Sequence, residues 1–189
     1  MMFADVFLCH WSVNTAIRKN NTMIQVYTGN GKGKTTAAIG LAVRAAGAGL
    51  KVYIGQFCKG RDYSELHALK KIKNIKIEQL GAPCFIKRKP SAKDFAIAKK
   101  GFSRIKNIIA RKYYDMVILD ELSVAVKLGL IKVDEVIGLL KKPSNMKEII
   151  ITGRCAPKEV IKLADLASEI REIKHYYKKD IKARKGIEF

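Results

Sequence analysis

Thr28-Gly29-Asn30-Gly31-Lys32-Gly33-Lys34-Thr35-Thr36 closes a short apolar run, Ile24 to Thr28, and opens a segment rich in Ala and Leu, Lys34 to Ala48. Strand, glycine-rich turn, Gly-Lys-Thr and helix in that order are the context a phosphate-binding P-loop requires. Gly29, Gly31 and Gly33 let the backbone turn and approach an anion closely. Successive N-H groups and a helix N-terminus then converge on phosphate oxygens. Lys34 adds a mobile positive charge, and the Thr35 hydroxyl suits a Mg²⁺ (or Mn²⁺) that bridges phosphates. The usual GxxxxGK[ST] pattern has Gly six residues before its lysine; here Thr28 stands at that place.

Outward from this loop, short apolar runs alternate with longer segments of helical period, the pattern of buried parallel strands covered by helices. Strands are expected at Ile24 to Thr28, Val52 to Phe57, Ile75 to Gln79, Met116 to Asp120, Glu148 to Thr152 and Glu169 to Ile173. Helices fit Lys34 to Ala48, Ala92 to Tyr113, Val133 to Leu140 and Pro157 to Ala167. In the second, Phe95, Ala98, Phe102, Ile105 and Ile109 mark one apolar face. Pro157 fits a first helical position. The expected fold class is α/β: a single-domain, P-loop NTPase-like (RecA-type), mainly parallel sheet flanked by helices. Residues 23–189 form that domain, and residues 1–22 read as an atypical N-terminal extension, with Met23 a candidate start. Asp5 and His10 interrupt the apolar stretch there and no Lys or Arg precedes it, which argues against a secretory signal.

The run Met116-Val117-Ile118-Leu119-Asp120-Glu121 ends in two carboxylates. In open α/β sheets the ligand lies beyond the carboxyl ends of the strands, which would bring Asp120 or Glu121 to a metal at Thr35. The alternative is a strand ending in a solvated acidic turn.

Thirty-seven Lys and Arg against 17 Asp and Glu leave +20 on 189 residues. Such a field steers anionic partners without naming them. The cations fall in short groups, such as Lys70-Lys71, Lys99-Lys100 and Lys178-Lys179, which suits solvated faces. No apolar run reaches the ~18 residues of a membrane span, and collagenous, disordered and disulfide-stapled classes are excluded by composition. Cys9, Cys58, Cys84 and Cys155 make no CxxC pair. A reducing, cytoplasmic location is the simplest expectation.

Tyr27 to Ala38 resembles the signature of the P-loop corrinoid adenosyltransferases, which act on cob(I)alamin or cob(I)yrinic acid a,c-diamide. Gln56-Phe57-Cys58-Lys59-Gly60, Val117 to Leu122, Ile151-Thr152-Gly153-Arg154, Ile173-Lys174-His175 and the closing Lys182 to Phe189 are similar to the same family in the same order. The resemblance implies transfer of the 5′-deoxyadenosyl group of ATP to the Co(I) of a reduced corrinoid, releasing triphosphate. It also implies an ATP held in reverse relative to ordinary P-loop enzymes, with Asn30 a candidate nucleotide contact. Alignment and stabilisation of the leaving oxygen are then the protein's tasks. Lys34 and Glu121 are the candidate catalytic residues. Gly29, Asn30, Gly31, Lys32, Gly33, Lys34, Thr35, Thr36 and Arg154 are the candidates for holding nucleotide, and Thr35, Asp120 and Glu121 for the metal.

Some family members place two aromatics after the third strand against the corrin. Here Gly81 to Lys87 offers Phe85 alone, a candidate corrin contact or a core residue. Arg154 suits phosphate or ribose, or else a surface ion pair; Lys59 and Arg44 are open in the same way. His175, beside Tyr176 and Tyr177, suits a packed residue better than a cobalt ligand. Cys58, Cys84 and Cys155 suit core or loop places. The implied partners are ATP, the corrinoid, a flavodoxin-like acidic electron donor and a second copy in a homodimer, with no membrane. The competing reading is a RecA-like nucleic-acid-dependent ATPase, against which stands the lack of aromatics interleaved with the basic groups.

Overall fold

A computed structural model describes residues 22–81, 89–142 and 146–189. The element order is β1 (Met23–Thr28), α1 (Lys34–Gly47), β2 (Val52–Gln56), α2 (Ser64–Leu69), β3 (Ile75–Gln79), α3 (Ala92–Ala110), β4 (Met116–Asp120), α4 (Leu122–Lys127), α5 (Val133–Leu140), β5 (Glu148–Thr152), α6 (Lys158–Leu163) and β6 (Leu166–Glu169), then a 3-10 turn at Tyr176–Lys179. Six strands form one sheet in the order β3-β2-β4-β5-β1-β6, every pair parallel. This is the α/β P-loop architecture expected. Among the described residues no helix is long and apolar enough to cross a membrane.

Both faces of the sheet are covered, which is why β2 and β4 are buried at every residue and read as unbroken apolar runs. Side chains alternate across it. Val52, Ile54, Met116, Ile118 and Ile150 pack with Ala38, Ala42 and Ala45 of α1 and Leu66 and Leu69 of α2. Tyr53, Val117, Leu119, Ile149 and Ile151 pack with Phe102 and Ile105 of α3, Ala125 of α4, Leu139 of α5 and Val160 of α6. Small alanines let α1 lie close to the strands whose ends carry the site. On α3 a capping box between Ser91 and Asp94 fixes the start. Ala98, Phe102, Ile105 and Ile109 are buried as expected, whereas Phe95 stands exposed in the first turn.

The sequence misplaces the sixth strand. It lies at Leu166–Glu169, not Glu169 to Ile173, and all four residues are exposed. Backbone pairing holds it: Gln25 to Thr28 of β1 run beside Leu166 to Glu169. No apolar run marks such an edge. The helix before it ends at Leu163 instead of Ala167, because Ala164 turns extended and Asp165 clamps Ile24, accepting from its N-H at 2.8 Å and donating its own N-H to its carbonyl at 2.8 Å. Pro157 precedes that helix as its cap, with ψ 140°, and is not its first residue. The helix α3 stops at Ala110, three residues short of Tyr113, ahead of Lys112 at φ 53°.

Candidate active site

The loop between β1 and α1 sits at the carboxyl ends of the strands, and its glycines serve different ends. Gly33 caps α1 at φ 121°, a conformation that other residues rarely adopt. Gly29 (φ 98°) and Gly31 are pressed against the chain leaving β6: a Cβ on them would lie 2.4 Å from the Ile170 carbonyl oxygen and 2.7 Å from that of Arg171. Gly31 N-H donates to Ile170 O at 2.7 Å, and Ile170 N-H to Thr28 O at 2.8 Å. Thr28, unusual at its place in the motif, accepts from the Ala156 N-H at 3.2 Å through its hydroxyl. That bond ties the loop to the turn bearing Arg154. Among the described residues no side chain caps α1, and no acidic residue stands in its first turn, so the first N-H groups of a fourteen-residue helix face the loop without an acidic partner of their own helix.

Lys34 is buried at the root of the loop, its ammonium donating to Gly31 O at 2.6 Å. Burial holds it below the ordinary lysine pKa, against the pull of Glu121. Thr35 donates from Oγ1 to Asp120 Oδ1 at 2.8 Å. Asp120 lies at the end of β4, level with Gln56 of β2, and gathers the neighbouring strand ends. Thr152 Oγ1 donates to Oδ1 at 2.6 Å, Gln56 Nε2 to Oδ2 at 3.1 Å, and Lys59 Nζ pairs with Oδ2 at 2.9 Å.

Lys59 also reaches Thr35 Oγ1 at 3.4 Å and Glu65 Oε1 at 3.8 Å. Burial alone would lower its pKa, but the Asp120 carboxylate, its hydrogen bond and Glu65 hold the ammonium above the ordinary value. Glu121, next along, starts α4 in the left-handed region at φ 57°, its N-H donating to Thr152 Oγ1 at 3.0 Å. Among the described residues its carboxylate is in no ion pair. Burial and then Asp120 push its pKa up, opposed by Lys59, Lys34 and Arg154.

Residues 20–189 match the family described as ATP:corrinoid adenosyltransferase BtuR/CobO/CobP. The chain belongs to this family. It is 35% identical over 167 residues to the corrinoid adenosyltransferase of Escherichia coli strain K12, covering 88% of this chain and 85% of that one. Identity to corrinoid adenosyltransferase CobA of Salmonella typhimurium is also 35%, with the same coverage. To the corrinoid adenosyltransferase of Pseudomonas aeruginosa it is 32% over 174 residues, 91% of this chain and 86% of that one. These relatives give no support to the nucleic-acid-dependent ATPase reading.

Within this adenosyltransferase fold, Gly29, Gly31, Gly33, Lys34, Thr35, Asp120 and Glu121 lie together at the carboxyl ends of β1 and β4. Asn30, Lys32 and Thr36 stand exposed on the same loop and helix start, and Arg154 projects from the turn after β5, where its charge acts on Lys34 and Glu121. Arg44 lies in the last turn of α1, at the far end of that helix. Phe85 and Cys84 fall outside the described residues. Cys58 is buried with its thiol pKa pushed up to about 12, chiefly by burial. His175 packs against Tyr176 in a tilted arrangement, ring centroids 4.8 Å apart and planes at 53°.

Gln56, Thr152 and Glu65 join the site without any motif marking them for it. Gln56 and Thr152 nonetheless share a readable signal: each is the polar residue closing an apolar strand, level with or beside Asp120.

A magnesium ion is tested by the donors present. Thr35, Asp120 and Glu121 supply hard oxygens, and the buried Gln56 Oε1 beside them has no hydrogen-bond partner among the described residues, an acceptor suited to a metal that keeps its waters. The set fits.

Proposed function

We propose that this chain transfers the 5′-deoxyadenosyl group of ATP to the Co(I) of a reduced corrinoid, giving an adenosylcorrinoid and triphosphate. The observation that supports it most is the joining of an uncapped helix N-terminus, Lys34 and the Thr35-Asp120 pair at one end of the sheet, within a chain of this family. The loop N-H groups take the triphosphate. Lys34, now on the Gly31 carbonyl, swings to the phosphate as charge develops on the leaving oxygen. Asn30 and Arg154, both exposed, orient the nucleoside so that its 5′ carbon faces the cobalt, and Phe85 contacts the corrin. Thr35, Asp120 and Glu121 would hold magnesium, which when bound supplies further charge stabilisation to the triphosphate. The cobalt belongs to the substrate.

Residues 23–189 carry this activity and residues 1–22 form an extension of the domain. The cytoplasm, a homodimer and an acidic flavodoxin-like reductant complete the reading. The +20 charge favours such a donor, so donor-driven rates should fall with added salt.

A single-turnover assay with ATP and several chemically reduced corrinoids tests the central claim. Adenosylcorrinoid and intact triphosphate are expected; ADP and phosphate alone would overturn it. Lys34→Ala should lower the transfer rate about 10²–10³-fold, roughly 3–4 kcal/mol of barrier.

A further inference from the structure

We propose that Lys59 is a tethered cation that guards the metal position, holding Asp120 against free divalent ions and yielding the carboxylate only when a triphosphate arrives with its own. The proposal rests on the nucleotide reading of this site and concerns a residue to which that reading gives no task. One ammonium touches two of the proposed metal ligands at once, Asp120 Oδ2 at 2.9 Å and Thr35 Oγ1 at 3.4 Å. A cation bridging those oxygens would occupy the same volume.

The backbone is built to put the ammonium there. Cys58, directly before it, adopts φ 53°, which a residue bearing a Cβ takes up only when its surroundings impose it. The constraint is visible: a Cβ on Gly81 would come within 2.5 Å of the Lys59 backbone nitrogen and 2.6 Å of the Cys58 backbone nitrogen, so the chain leaving β3 lies flat against this turn. Lys59 follows Gln56, whose amide reaches the same Asp120 oxygen from below.

A second seat adjoins the first. Glu65 Oε1 stands 3.8 Å from the ammonium, the Tyr63 ring lies 5.2 Å beneath it, and Gln56 Nε2 reaches from Asp120 Oδ2 to Glu65 Oε1 at 3.4 Å. Lys59 can therefore leave Asp120 without losing every partner. An ammonium and a divalent ion repel strongly when they share a carboxylate, so a bare ion meets Lys59 as a competitor. A triphosphate changes the balance, because its oxygens serve the metal and Lys59 together. Metal and nucleotide then bind with positive coupling, each favouring the other by the same factor.

The test uses Mn²⁺ as the probe, its free concentration followed by electron paramagnetic resonance, with the full chain and no corrinoid. Without nucleotide, Lys59→Gln should bind Mn²⁺ about tenfold or more tightly than the parent, and Lys59→Arg as weakly as the parent. Adding Asp120→Asn to Lys59→Gln should abolish the gain. With ATP present the gap between parent and Lys59→Gln should narrow. Lys59→Met, which keeps the unbranched stem, is the second variant should the glutamine disturb folding. A variant folded by circular dichroism that binds Mn²⁺ no more tightly than the parent overturns the proposal. Because no corrinoid takes part, that failure is distinct from failure of the transfer reaction.

Discussion

Two clusters of charge grip the phosphate loop, one from beneath and one from outside. Beneath it, Lys59, Thr35, Gln56 and Thr152 surround an Asp120 that is almost wholly buried. Outside it, the chain after β6 returns to place Glu188 on Lys32 at 2.8 Å, where Tyr176 and Arg184 join it and the lysine also donates to Ile187 O at 2.9 Å. Each lysine stands over a tyrosine ring, Lys59 over Tyr63 at 5.2 Å and Lys32 over Tyr176 at 5.3 Å. The partners are alike in kind. What differs is water, and with it the direction in which carboxylates move. Glu121, in the buried cluster, is pushed up by desolvation; Glu188, at the surface, is pulled below the usual carboxylate range by Lys32, Tyr176 and Arg184. A buried pair is costly to break because the survivor cannot reach water, whereas an exposed pair is screened and exchanges for solvent.

The sharpest break is Asp120→Ala. It takes from the Lys59 ammonium its nearer anion, leaving only the longer contact to Glu65 at 3.8 Å, and removes the acceptor for three further donors, so about 3–5 kcal/mol of stability should be lost. Urea denaturation would measure it, and added salt should change the loss little. Gly31→Ala comes next, at about 1–3 kcal/mol, because the new methyl meets Arg171 O at 2.7 Å and a backbone cannot rotate aside as a side chain can. It should also loosen the chain after β6, visible as faster hydrogen exchange at Ile170.

Glu121→Gln should move stability the other way. Its folded pKa is raised, so the native state binds its proton more tightly than the unfolded chain does. Relative stability is full below the ordinary glutamate pKa and is lost as pH rises through the raised folded value. At neutral pH the charged carboxylate is therefore a burden, and the amide should raise the urea midpoint there while lowering transfer activity. Parent and variant should converge in stability as the pH falls below the ordinary glutamate range. A variant less stable than the parent at neutral pH would show that Glu121 has a supporting partner.

This contrast also explains what the sequence makes legible. The phosphate loop is a local word, nine residues between a strand and a helix, and the central strands are apolar because helices cover both of their faces. Asp120 stands out as the charge that ends such a run. By contrast, β6 carries no burial signal at all, and α2 and α4, six residues each, are too short to show a helical period. The partners of Lys32 lie 144 and 156 residues along the chain, where nothing in a linear pattern joins them. Gln56 and Thr152 fall between these extremes. They are local as polar strand ends, and their meaning appears only when β2, β4 and β5 lie side by side.

The smallest effect on global stability belongs to Glu188→Gln, and its interest lies in where the change appears. Glu188 accepts from Lys32, Tyr176 and the Arg184 N-H and guanidinium, all at the surface, so the urea midpoint should stay within error of the parent's. Locally the amide offers a weaker acceptor, and the segment 184–189 should exchange its amide hydrogens faster. High salt applied to the parent should reproduce that increase, since it screens the same contacts. Acid should do so only late. The depressed Glu188 pKa keeps the contact as pH falls through the ordinary carboxylate range, and loses it only when the folded value is passed. Equal exchange in parent and variant at low salt would mean that the backbone turn at Arg184 to Phe189 holds this segment without the carboxylate. The buried cluster would then be the only one of the two whose charges constrain the loop.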